Sequence, residues 1–263
     1  MANYALPEEK LYHIGLSRKM LRGAKYALLP GDPGRVEGLA KSLGKAEFLS
    51  SHREFTSWLA EIADKPVLVM STGMGGPCVA IALEELARLG VTHFIRVGTT
   101  GSIREDLNLG EVVISKAAVR LDGASKCYAP VEFPAVADLD ITLALRQAAE
   151  ELQIPHKVGI TVTTDSFWPG QERYDSFTGY VPCSLQGSLK QWQALGCSNY
   201  EMEAATLLVL ANVFGLQAGA ICGVVAKRTD SEAVASQEVY RLAEARFQLV
   251  VKRALEHLLA AEK

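Results

Sequence analysis

Arg35 ends the loop Pro30-Gly31-Asp32-Pro33-Gly34-Arg35, which follows the apolar run Tyr26–Leu29 and precedes Val36, Leu39 and Ala40 at helical spacing. Asp32 can cap that helix, and Pro33 can take its first position. Free backbone N–H groups, a helix N-terminus and a guanidinium then meet at one point, as a phosphate dianion requires. A plain strand–turn–helix connection with a surface arginine fits the same residues. Arg96 lies inside a second apolar run, His93–Val97, ahead of Gly98-Thr99-Thr100-Gly101. An unpaired guanidinium there is very costly, so it must meet an anion or a carboxylate near the strand's C-terminal end. That end is where α/β proteins bind ligands. Thr99 and Thr100 offer hydroxyls, while Gly98 and Gly101 allow a ligand close to the backbone.

Two further segments carry groups for a sugar and a heterocycle. In Phe167-Trp168-Pro169-Gly170-Gln171-Glu172-Arg173-Tyr174, aromatic rings, an amide that donates and accepts, and a planar fork of donors could read a ring with carbonyls. A solvated aromatic turn fits equally well. In Asn199-Tyr200-Glu201-Met202-Glu203-Ala204, a carboxylate can accept from a vicinal diol with the Met202 thioether beneath the sugar. Acidic residues at a helix start also simply complement the macrodipole. Other chemistries find no support. The loop Ser71–Cys78 has Cys78 where a dinucleotide fingerprint needs its third glycine, which leaves a close-packing turn. There is no GxxxxGK[ST] loop and no GxSxG elbow, and His13, His52, His93, His156 and His257 are dispersed without a ligand partner at i+4.

The elements that must position these groups alternate. Strands are expected at Tyr26–Leu29, Val67–Ser71, His93–Val97, Glu111–Ser115, Val158–Thr163 and Ala218–Val225. Helices are expected around Val79–Leu89, Ile141–Leu152, Leu207–Phe214 and Val239–Leu258. Near-continuous apolar strands imply a sheet covered on both faces. With 263 residues, 49% apolar and 22% charged, and no linker, one α/β domain spanning residues 1–263 is expected. The charge-free stretch Ala204–Ala226 reads as a buried helix ending at Gly215 and then a buried strand, not a membrane span. Residues from about Phe167 to Asn199 lack periodicity and suggest a functional lid or insertion. A net charge of −3 provides no field for nucleic acid. Five scattered cysteines without a CxxC pair, and Glu8 and Glu9 near the start, point to a reducing compartment, the cytoplasm, without structural zinc.

Together, GDPGR at 31–35, SHREFT at 51–56, STGMGGP at 71–77, RVGTTG at 96–101, RLDGAS at 120–125, PGQERYD at 169–175 and NYEMEAAT at 199–206 closely resemble the nucleoside phosphorylase I family. The resemblance runs from about His13 to Arg228, and the Gln-Glu-Arg segment is that of the uridine-cleaving branch. It implies a single domain with a mixed, barrel-like central sheet flanked by helices, in a hexamer built as a trimer of dimers with shared active sites. It implies that Gly31, Arg35, Arg96 and Thr99 hold phosphate with Arg53 of a neighbouring subunit, and that Met202 and Glu203 hold ribose with the neighbour's His13. Thr100, Gly101, Phe167, Gln171, Arg173 and, through water, Arg228 would surround uracil, with Arg96, Gln171, Arg173 and Arg228 the residues of catalysis.

The implied reaction is phosphorolysis of uridine to uracil and α-ribose 1-phosphate in pyrimidine salvage, with inorganic phosphate as co-substrate and no required cofactor. A phosphorylase of broader or purine specificity, or a catalytically silent nucleoside-binding protein, are the alternatives. Some residues depart from the family pattern. Lys227 stands where the uridine enzymes have Asn and purine-cleaving relatives carry Asp, and Cys127 stands where a His is usual. The family's intersubunit potassium site would use Glu54, the Met74 carbonyl and position 78, where Cys78 replaces Ser. Soft sulfur suits a hard cation poorly, which puts potassium dependence in question.

Overall fold

Along residues 8–261, which the computed structural model of the chain describes, strands and helices alternate as their spacing predicts, with more strands than the apolar runs reveal. The strands are β1 (Tyr26–Leu29), β2 (Ala46–His52), β3 (Phe55–Ile62), β4 (Lys65–Met70), β5 (His93–Ser102), β6 (Val112–Leu121), β7 (Ala135–Val136), β8 (His156–Thr164), β9 (Asn199–Glu201) and β10 (Gln217–Lys227). The helices are α1 (Arg18–Leu21), α2 (Val36–Leu43), α3 (Gly76–Arg88), α4 (Leu139–Glu151), α5 (Ser188–Ala194), α6 (Ala204–Phe214) and α7 (Gln237–Ala261).

One sheet contains every strand, and part of it closes on itself. β5 runs parallel to β10, β10 antiparallel to β6, β6 parallel to β8, β8 parallel to β9, and β9 antiparallel to β5, which completes a five-stranded mixed barrel. From β5 the sheet continues outward through β1, β4, β3 and β2. Alternate residues of these strands feed two cores. Leu68, Phe94 and Ala220 pack with α3 and α6, whereas Val69, Ile95 and Ile221 pack with α2, α4 and α7. Burial on both faces is why β1, β4, β5 and β10 read as continuous apolar runs. The register of β10 against β5 shifts between Val224 and Ala226, a bulge of the kind that re-aims side chains beside a site.

Strand β2 escapes an apolar-run search because it forms the sheet's end and is largely exposed, and β3 because Thr56, Ser57 and Glu61 interrupt its apolar residues. Residues 167–199 are not a structureless lid: they contain a 3-10 turn at Pro169–Gln171, α5 and the start of β9. Helix α6 ends as expected at Gly215, which takes the left-handed conformation at φ +69°. Among the described residues no helix is long and apolar enough to cross a membrane.

Candidate active site

A cavity of about 650 Å³ opens at the carboxyl ends of β1, β5 and β10, and its wall draws on loops far apart in sequence. Gly31, Arg35, Arg96, Thr99, Thr100, Gly101, Phe167, Gln171, Arg173, Met202 and Glu203 all line it. His13, Arg53 and Arg228 do not.

At one end, Asp32 accepts from the Gly34 N–H at 2.8 Å and Pro33 occupies the first turn, so the loop closes as its sequence dictates and projects Arg35. Arg35 Nε lies 2.8 Å from Glu244 Oε1, with its N–H aimed off that oxygen, and the guanidinium sits 5.0 Å from the centre of the Tyr240 ring. Burial lowers the Arg35 pKa, an effect that Glu244 and Asp32 oppose. Arg96, 6% exposed, places Nε 2.8 Å from Glu201 and Nη2 2.5 Å from Glu203. Desolvation works against its charge, but the two carboxylates outweigh it and hold the group protonated. A Cβ at Gly98 would stand 2.9 Å from Arg96 Nη2, so only glycine leaves room for this guanidinium. Arg96 Nη1 and the Thr99 hydroxyl make no hydrogen bond among the described residues.

The two carboxylates differ in use. Glu201 accepts from the N–H groups of Glu203 and Ala204 at the start of α6, and from the Thr163 hydroxyl, which commits it to structure. Glu203 accepts from the Gly75 N–H at 2.6 Å and faces the cavity; burial raises its pKa against the pull of Arg96. The glycine-rich loop is thus the close-packing turn its sequence suggests, since a Cβ at Gly76 would lie 2.4 Å from Thr206 Oγ1. It also supplies the donor that orients Glu203.

At the other end, Gln171 is 3% exposed and its side-chain amide has no hydrogen-bond partner among the described residues. Arg173, 1% exposed, stacks 4.1 Å from the Phe167 ring centre and donates from Nη1 to the Glu232 carbonyl. Burial, together with Arg228, brings its pKa down to about 10. Its Nη2 has no partner among the described residues and points toward Gly101.

Thr100 lines the cavity with its hydroxyl already donating to the Tyr200 carbonyl at 2.6 Å and accepting from Asn199 at 2.7 Å, which leaves one acceptor lone pair. Arg228 stands behind the wall, where its guanidinium donates to the Gln171 and Glu172 carbonyls. His13 and Arg53 lie together outside the cavity. The His13 Nδ1–H donates to Glu85 at 2.7 Å, the His52 ring donates to the His13 carbonyl, and Arg53, at φ +56°, reaches Tyr12.

Glu54, Met74 and Cys78 meet on one part of the wall, but as a donor set they do not suit a hard cation. Burial and the adjacent Glu54 push the Cys78 thiol up, so it stays protonated and presents soft sulfur. Tyr240 and Glu244, which reach Arg35 from α7, and Val234, which bridges to Ala226, are not among the residues the sequence pointed to. A carboxylate one position after the buried Ala243 is the only trace that Glu244 leaves in the sequence.

The closed mixed barrel and this cavity define a class. The chain matches the phosphorylase superfamily over residues 25–256 and belongs to it. Among its relatives, uridine phosphorylase of Escherichia coli (strain K12) is 47% identical over 254 residues, 97% of this chain and 100% of the relative. Uridine phosphorylase of Haemophilus influenzae is 48% identical over 250 residues, 95% and 99% of the two chains. A guanosine phosphorylase of Halorubrum lacusprofundi is 37% identical over 198 residues, 75% and 76% of the two chains.

Proposed function

We propose that the protein cleaves uridine with inorganic phosphate, giving uracil and α-ribose 1-phosphate, as a cytoplasmic enzyme of pyrimidine nucleoside salvage. One observation carries the reading: a single cavity holds arginines at one end, an acidic residue with a thioether in the middle, and an unpartnered amide beside a stacked arginine at the other. Phosphate would sit between Arg35, Arg96 Nη1, Thr99 and the Gly31 backbone. Ribose would sit over Met202, with its hydroxyls donating to Glu203. Uracil would lie against Phe167 and Gly101, within reach of the Gln171 amide and the free edge of Arg173.

The chemistry divides along the same line. Breaking the N-glycosidic bond develops positive charge on ribose and negative charge on the base. Phosphate dianion stabilises the first and attacks C1′, so no enzyme nucleophile is required. The departing uracil anion spreads over its carbonyl oxygens and N3, where Gln171 and Arg173 donate. A purine gains instead from protonation at N7, and the residue at 227 is no acid: Lys227 turns away to the Glu105 carbonyl and Asn108.

His13 and Arg53 belong, in this reading, to the site of a neighbouring subunit. Their exclusion from their own cavity and their contact through His52 support that assignment. The assembly would be a hexamer of three dimers. The specificity is tested by assaying uridine and inosine side by side with phosphate. Uridine should turn over at least ~10²-fold faster in kcat/KM, the range a site with a directed polar contact commands; equal turnover would remove the base assignment.

A further inference from the structure

The segment that faces the base is held partly by its own turn and partly by groups outside it. Glu172 sits in the left-handed region at φ +50°, and the segment's own turn is held by the Glu172 and Arg173 N–H groups, which donate back to Pro169 and Trp168. Several of its other polar groups are met from elsewhere. Arg228 donates from Nη1 to the Gln171 carbonyl at 2.9 Å and from Nη2 to the Glu172 carbonyl at 3.1 Å. The Glu232 carboxylate accepts the Tyr174 N–H at 3.0 Å and the Asp175 N–H at 2.8 Å. The Glu232 carbonyl, in return, accepts from Arg173 Nη1 at 2.5 Å. Both Arg228 and Glu232 lie between the end of β10 and the start of α7, in the connection whose Val234 forms part of the cavity wall.

We infer that Glu232 is a positioning residue for base recognition: its carboxylate clamps the Tyr174 and Asp175 amides and thereby fixes its own carbonyl as the acceptor that aims Arg173. Stacking on Phe167 sets the plane of the guanidinium but leaves it free to turn within that plane. The bond from Nη1 to the Glu232 carbonyl removes that freedom and so decides where Nη2 points. Among the described residues no carboxylate oxygen pairs directly with Arg173, and its Nε is buried without a partner. A single carbonyl therefore sets the direction. The neighbouring Arg228 repels Arg173, while the charges of Asp175 and Glu232 offset that repulsion. A shift of about 1 Å in a positioning group can cost roughly 10²-fold in rate, so the clamp controls more than its own hydrogen bonds.

This inference rests on the assignment of Gln171 and Arg173 to the base, and it is tested by steady-state kinetics of Glu232→Ala and Glu232→Gln. In Glu232→Ala the KM for uridine should rise and kcat/KM for uridine should fall about tenfold or more while the KM for phosphate stays within about twofold, because only the base end loses its aim. Glutamine keeps one acceptor oxygen and should restore part of the loss. Asp230→Ala, in the same connection but with a side chain bonded among the described residues only to the Thr229 hydroxyl, should leave both constants unchanged. Amide exchange at Tyr174 and Asp175 should quicken in Glu232→Ala, with thermal stability nearly preserved. An unchanged uridine KM in a folded Glu232→Ala protein, or an equal rise in both constants, would overturn the inference. Wild-type protein that releases no uracil with phosphate would instead overturn the functional reading, and this inference with it.

Discussion

A guanidinium among apolar strand residues is held at Arg96 by Glu201 and Glu203, while Nη1 remains without an acceptor among the described residues. The carboxylate partner and the anion that the sequence offered as alternatives are therefore compatible. Arg96→Ala strands two buried carboxylates and should destabilise the fold by ~3–5 kcal/mol, lowering Tm by at least ~6 °C. Added phosphate, which should raise the wild-type Tm, should no longer do so in this variant. Melts with and without phosphate check both parts. Arg173→Ala should behave differently, losing uridine turnover while retaining phosphate affinity; a matching fall in phosphate affinity would place Arg173 in the wrong subsite. At Cys78, a protonated thiol in place of a harder oxygen donor predicts that exchanging potassium for an organic cation at equal ionic strength leaves the rate unchanged. Residues such as Arg35, Arg96 and Gln171 were legible because their types conflict with, or stand out from, their local sequence. The roles of Thr100 and Arg228 were not, because they depend on the partners each side chain finds in the fold, and Glu244 and Glu232 act from segments far along the chain.

Elements buried on both faces announce themselves as apolar runs, which is why β1, β4, β5 and β10 and the long helices could be read directly. Strand β2 is exposed and polar, and β9 has only three residues, so neither pattern reaches them. Yet β9 closes the barrel and carries Glu201, which shows that closure depends on pairing partners rather than on local composition. The meeting of α3 with α6 offers a test at this scale. Gly76 opens α3 against Thr206, and a methyl group there would stand 2.4 Å from Thr206 Oγ1 and 2.9 Å from Ala124 Cβ. Gly76→Ala should therefore cost ~1–3 kcal/mol by overpacking and also draw the Gly75 N–H from Glu203. Denaturant unfolding and the ribose-dependent part of KM would report these separately. Stability and activity both at wild-type level would mean that α3 can shift without disturbing the site.

Across the whole molecule, the cavity holds the arginines, carboxylate and amide of one chain, while Arg53 and His13 lie outside it. If they serve a neighbour, Arg53→Ala and Glu203→Ala damage different sites, so a mixed dimer has one doubly defective site and one intact site. Co-refolded in equal amounts, the two inactive variants should regain about a quarter of wild-type activity, given random pairing across a two-fold interface. No recovery in samples shown to contain mixed dimers would mean that Arg53 acts within its own chain or not at all. In the proposed reaction phosphate is the nucleophile, held by Arg35 and Arg96 in the same cavity as Gln171 and Arg173, which would face the base. The most direct measurement is the initial rate of uracil release from uridine with and without inorganic phosphate. Uracil should be released only when phosphate is present, with α-ribose 1-phosphate formed mole for mole; release at the same rate in phosphate-free buffer, giving free ribose, would show that water and not phosphate is the nucleophile.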